Sequence, residues 1–180
     1  MKNEKREYPH FALCGLSCGL CPMYHISEND HCPGCGRPSC VYVKCAKEHG
    51  KVEYCGLCPD YPCEKYTKAE PYDSFITCRS VQRDFERLRR DGIEVFSAVL
   101  DEKVEILRYL LREYNDGRRK SFFCLAVNLL ELEDIKTVMN ELEENYDENA
   151  PLRERGAQAA GLFRTMADKR GIVLKLNRKK

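Results

Sequence analysis

Excess charge of either sign is missing from this chain: 30 Lys and Arg stand against 29 Asp and Glu in 180 residues. Up to residue 66 there are eight basic and eight acidic residues, and beyond it twenty-two and twenty-one. Neither part has the basic surplus that marks a nucleic-acid or membrane-surface protein. Long hydrophobic runs are missing too. Stretches such as Phe122 to Val127 fall far short of the roughly 18 residues that suggest a membrane span. The charged opening Met1-Lys-Asn-Glu-Lys-Arg-Glu-Tyr8 leads into no apolar segment of a secretory signal, so the expected compartment is the cytoplasm, where thiols stay reduced. Low-complexity tracts, a phosphate-binding glycine loop, a His-Glu-x-x-His helix and a nucleophile elbow are also absent, which leaves no signature of a common enzyme class.

What the chain does have is cysteine. Ten of its twelve lie between Cys14 and Cys63, and one phrase occurs twice there: Cys18-Gly-Leu-Cys-Pro-Met-Tyr24 and Cys55-Gly-Leu-Cys-Pro-Asp-Tyr61. A related phrase, Cys32-Pro-Gly-Cys-Gly36, stands between them. In a reducing compartment such density points to metal rather than to a disulfide scaffold. Two thiolates separated by two residues can reach one tetrahedral ion from a single turn, and a second pair completes the shell. Soft thiolates select zinc or iron over magnesium, calcium or manganese.

The candidate ligands are Cys14, Cys18, Cys21, Cys32, Cys35, Cys40, Cys45, Cys55, Cys58 and Cys63. They fall into two groups of five, which suggests two sites with two zinc ions and two cysteines left over. Interleaving of the two groups, or recruitment of His25, His31 or His49, is left open. The alternative is an iron-sulfur cluster, because Cys14-x3-Cys18-x2-Cys21 matches the spacing of radical S-adenosylmethionine enzymes. The chain has too few strands for the β/α barrel those enzymes need. Glycines beside the cysteines suggest turns of positive φ, and proline after Cys21, Cys32 and Cys58 stiffens each exit.

The phrases from Cys14 to Cys21, Cys32-Pro-Gly-Cys35, Cys40 with Cys45-Ala-Lys-Glu-His-Gly50, and Cys55 to Cys63 together resemble the cysteine-rich family catalogued as domain of unknown function 3795. Gly117-Arg-Arg-Lys-Ser-Phe-Phe-Cys124 resembles its longer members. The resemblance implies a bacterial or archaeal metal-binding protein of unassigned activity. Two departures are a shorter loop between Cys21 and Cys32 and a histidine, His49, where lysine is usual.

The expected fold is α+β, mostly α: an irregular metal-thiolate domain over residues 1–66, then a helical domain of about five helices over 67–180. Residues 9–13 should pack under the first knuckle, Val41 to His49 should form a short helix stopped by Gly50, and Pro62 should open a helical turn. Apolar stripes predict helices through Val81, Phe85 and Leu88; through Leu100, Val104, Leu107, Leu111 and Tyr114; and through Ile135, Val138, Met139, Leu142 and Tyr146. Phe122 to Leu130, capped by Ser121, reads as the buried central helix. Pro151 opens a last helix with small residues at Gly156, Ala160 and Gly161, and Ile172 to Leu176 alternates as a short closing strand.

Further candidates have plainer readings. Arg118, Arg119 and Lys120 precede a helix and suit an anion, against a solvated turn. Cys78 and Cys124 are surplus thiols, Cys124 reading as core. The Arg83, Arg87, Arg89 and Arg90 cluster, offset by Asp84, Glu86 and Asp91, reads as a charged helix face. The functional expectation is a binding or regulatory module presenting the loops at 23–30 and 60–66 to a partner. Rivals are an iron-sulfur redox protein or enzyme and thiol-based sensing.

Overall fold

The computed structural model describes residues 6–27, 31, 32, 34, 35, 40–68 and 72–179. The expectations placed on Pro33, Gly36 and residues 28–30 of the first loop lie outside the described residues. Among the described residues there are seven α-helices and no strand: α1 (Val41–Glu48), α2 (Glu64–Thr67), α3 (Val81–Asp91), α4 (Ile93–Glu113), α5 (Lys120–Leu129), α6 (Leu132–Glu144) and α7 (Leu152–Lys169). None is long and apolar enough to cross a membrane.

The helices follow the apolar stripes. Val81, Phe85 and Leu88 face inward from α3, and α3 ends at Gly92, whose φ of 81° needs no Cβ to be accommodated. On α4 the most deeply buried apolar positions are Leu100, Val104, Leu107 and Leu110, so Leu110 takes the place expected of Leu111. Seven consecutive residues of α5, Phe123 to Leu129, are buried, as its apolar surround predicts. It packs between α4 and α7. On α7 the small residue that matters is Gly156, where a Cβ would lie 2.4 Å from the Tyr114 carbonyl oxygen, whereas Gly161 faces open space.

Four expectations are corrected. Ser121 lies inside α5 rather than capping it; the approach is held instead by Asn115 Oδ1, which accepts from the Arg119 backbone N–H at 3.2 Å. Tyr146 lies beyond the end of α6 and is 43% exposed. Pro62 stands two residues before α2, whose N-cap is Cys63. The α+β class becomes all-α among the described residues, because Ile172 to Leu176 forms no strand. Its alternation is real, with Ile172, Leu174 and Leu176 half-buried and Val173 and Lys175 exposed, but no neighbouring strand offers a ladder. Arg79 takes that role, donating to the carbonyls of Val173 at 2.9 Å and Lys175 at 3.0 Å. Asp73 and Asn177 close the tail through Asn177 N–H to Asp73 Oδ2 at 2.8 Å and Asp73 N–H to Asn177 O at 2.7 Å.

One apolar core runs from the cysteine-rich region into the helices. Phe11 and Tyr54, each 0% exposed, belong to the same cluster as Phe85, Phe96 and Leu107. The Phe11 ring packs on Tyr54, Phe85 and Phe96 at 5.4, 5.9 and 4.6 Å between centroids.

Candidate metal centre

The doubled phrase folds twice into the same backbone. Cys18–Leu20 and Cys55–Leu57 are both 3-10 turns. In the first, Cys21 N–H donates to Cys18 O at 3.0 Å and Tyr24 N–H to Cys21 O at 2.9 Å. In the second, Cys58 N–H donates to Cys55 O and Tyr61 N–H to Cys58 O, both at 3.1 Å. The glycines of these turns do not have positive φ, contrary to expectation. They are there because something lies against them. A Cβ on Gly19 would lie 2.7 Å from the His10 Cβ, and one on Gly56 would lie 2.3 Å from Phe85 Cδ1. Gly15, before the first turn, does have a φ of 87°, and a Cβ there would meet Phe85 Cζ at 2.6 Å.

Segment 10–14 splints the two turns together. His10 O accepts the Gly19 N–H at 2.9 Å, Leu13 O accepts the Cys55 N–H at 2.8 Å, and Cys14 O accepts the Tyr66 hydroxyl at 3.1 Å. Phe11, Ala12 and Leu13 are buried beneath, as the sequence suggested for the first knuckle; they support the second as well. Arg89 of α3 reaches across to donate to Gly56 O at 2.5 Å, its guanidinium 4.8 Å from the Tyr61 ring centroid. That residue therefore grips the second knuckle rather than decorating a charged face. Its neighbours act elsewhere: Arg87 holds both oxygens of Glu131 at 2.7 Å, and Arg90 pairs with Asp91.

All ten candidate cysteines are half-buried, and none is joined in a disulfide. Burial pushes the Cys18 thiol strongly up, and the neighbouring sulfurs of Cys14, Cys21, Cys35 and Cys32 add to that. Cys14 is pushed up to about 11, chiefly by burial, with Cys35, Cys40 and Cys55 also contributing. Cys21 is raised by burial, with Cys32 beside it and Lys120 of α5 opposing. In the second group Cys55 is raised by burial, the Tyr66 hydroxyl hydrogen-bonds to it, and Cys45, Cys63 and Cys58 are its sulfur neighbours. Cys45, Cys55, Cys58 and Cys63 together line one cavity of about 20 Å³, with His49 and Tyr66 in its wall. Cys14 also faces a wider cleft of about 650 Å³ beside Tyr42, Tyr66 and Arg79. Among the described residues, no group of three or more His, Cys, Asp and Glu side chains is arranged to hold a metal ion.

The histidines differ in their commitments. His25 Nε2 bonds Gly19 O at 2.7 Å, and His31 Nδ1 bonds Ser27 O at 3.1 Å. His49 turns Nδ1 toward Cys45, 2.9 Å from its carbonyl oxygen and 3.7 Å from its sulfur, with Nε2 3.4 Å from Asp60 Oδ2. Cys124 is 2% exposed, its thiol pushed up to about 12 by burial, and it packs in the core. Cys78 is exposed and donates to Asp73 Oδ1 at 3.3 Å. Of the basic run at the start of α5, Arg119 pairs with Asp116 and Lys120 donates to His25 O, which ties the first loop to the helices. Pattern reading missed Phe85 and Arg89 as supports of the site, because each looks like an ordinary position on an amphipathic helix.

No protein-family model matches the chain, and neither the curated proteins nor the solved structures hold a match.

Proposed function

We propose that the cysteine-rich region is a metal-thiolate module holding zinc, two ions per chain, and that the protein acts as a binding or regulatory module. The observation that carries this reading is the cavity of about 20 Å³ whose wall gathers Cys45, Cys55, Cys58 and Cys63. Four thiols in the wall of one small cavity are a donor set suited to zinc. Side-chain rotation about Cα–Cβ would aim the sulfurs inward, and binding would release their protons. Cys14, Cys18, Cys21, Cys32 and Cys35 would supply the second site, where Cys14 also feels the charge of Cys40. His49 is the histidine positioned to join the Cys45 group.

Zinc there would act structurally: it would tie α1 and α2 to the second knuckle, with a contribution on the order of 10 kcal/mol. The resemblance to the cysteine-rich family of unknown function 3795 points the same way and is part of this proposal.

Anaerobic purification followed by visible spectroscopy and assay of zinc, iron and sulfide per chain tests it. The expected result is a colourless protein with about two zincs. A brown protein with stoichiometric sulfide overturns zinc in favour of an iron-sulfur cluster, and a protein that purifies and stays folded without metal overturns both.

A further inference from the structure

A second candidate site lies on the other side of α3, away from the Cys45 group. A cavity of about 240 Å³ is walled by α3, α4, α5 and the turn carrying Ser17 and Leu20. Its polar lining is buried to a degree that surface chemistry does not require: Ser17 is 3% exposed, Asp84 6%, Lys103 5% and Asn128 3%. Four such side chains beside a void are costly to a fold unless something meets them.

Their hydrogen bonds are incomplete. Asn128 Oδ1 accepts from Ser80 Oγ at 3.2 Å, but Asn128 Nδ2 has no acceptor among the described residues. Lys103 Nζ donates to Leu130 O at 2.6 Å, and an ammonium has three N–H groups to place. Both groups ask for acceptors. The other cations at this cavity are already matched, Arg87 by Glu131 and Arg90 by Asp91. Asp84 receives long contacts from Ser17 Oγ at 3.5 Å and Arg83 Nε at 3.4 Å; burial raises its carboxyl pKa, which moves it toward a form that donates, against the opposing pull of Arg83, the Ser80 hydroxyl and Lys103. Opposite these groups the wall is apolar, with Phe96 and Leu100 buried and Val95 and Val99 57% and 37% exposed at the mouth.

We propose that this cavity between α3, α4 and α5 binds a small organic carboxylate, its two oxygens meeting Asn128 Nδ2 and Lys103 Nζ and its apolar body lying against Val95, Val99 and Leu100. The volume suits a ligand of about ten non-hydrogen atoms, below the usual drug-sized range. The site goes beyond the metal reading and does not rest on it, since none of its polar groups is a cysteine.

The experiment titrates three probes of one shape, phenylacetate, phenylacetamide and phenethylamine, into the full chain as purified. The readouts are methyl shifts of Val95, Val99 and Leu100 and the side-chain amide signal of Asn128. Phenylacetate is expected to give saturable shifts at these positions, phenylacetamide to bind about tenfold more weakly, and phenethylamine not to bind. Asn128→Asp, which sets a carboxylate where the amide donor was, is expected to weaken phenylacetate at least about tenfold. If that variant loses its fold, Val99→Trp at the mouth is the deciding variant and should block phenylacetate while the melting temperature is kept. Absence of saturable shifts from all three probes up to about 10 mM overturns the proposal. So does equal binding of the amine, or binding undiminished in the deciding variant.

Discussion

Phe85 is the side chain on which the cysteine-rich region closes. It is 0% exposed, its ring stacks edge-on with Phe11, Tyr61 and Tyr66, and Gly15 and Gly56 both lie against it with no room for a methyl group. Phe85→Ala is therefore expected to cost about 3–5 kcal/mol, and Gly56→Ala about 1–3 kcal/mol through overpacking. Gly161→Ala, in open helix, is the control and should stabilise by up to about 1 kcal/mol. Urea midpoints measure all three, and a Gly56→Ala protein as stable as the parent would refute the close contact.

Lys103 adds a pH signature at the same scale. Burial lowers its pKa from 10.5 to about 8. Between those values the unfolded chain holds the proton that the folded chain has lost. Raising the pH from 8 toward 10.5 thus favours the fold, and below 8 the charged, buried ammonium weighs against it. The stability difference between the parent and Lys103→Met should change across that window and be flat below it, as read from urea unfolding at a series of pH values. The cysteines titrate in both proteins and cancel in the difference.

Among the elements, the repeated Cys-Gly-Leu-Cys-Pro-x-Tyr turn was legible as a repeat, and the structure gives both copies the same hydrogen bonds. Their surroundings differ: His10 closes on the first glycine and Phe85 on the second. The helices were legible because their stripes are local, with boundaries set by Gly92 and Gly171. The tail was misread because alternation in Ile172 to Leu176 reports which side chains turn inward and says nothing of whether another strand lies alongside. Arg79 holds that tail by two carbonyls. Arg79→Ala should speed amide exchange over residues 172–177 and cost about 1–3 kcal/mol, while α4 and α5 keep their protection.

At the scale of the molecule, the core that joins Phe11 and Tyr54 to Phe85, Phe96 and Leu107 decides how far the loss of metal would spread. Segment 14–63 is rich in cysteine, glycine and polar residues; its two turns pack on α4 and α3, and its buried Tyr54 leans on Phe11, which packs on Phe85 and Phe96. Treatment with a chelator is expected to unfold that segment and loosen α3, while α5, α6 and α7 persist on their own buried faces. Hydrogen exchange and limited proteolysis of chelated protein measure this. An unchanged pattern would show that no metal supports the region.

By itself the sequence determined the places of the helices, the reuse of one turn in two settings, and the concentration of cysteine in fifty residues. These are matters of residue type and short spacing, and periodicity reads them directly. Only the tertiary structure decided that Cys45, Cys55, Cys58 and Cys63 share one small cavity, that Phe85 and Arg89 brace the second knuckle, and that Ser17, Asp84, Lys103 and Asn128 line another void. The four cysteines lie close in the chain, but the other residues lie far apart, and each has an ordinary role on its own turn or helix face. What brings them together is the packing of three helices against two turns, which no local pattern records.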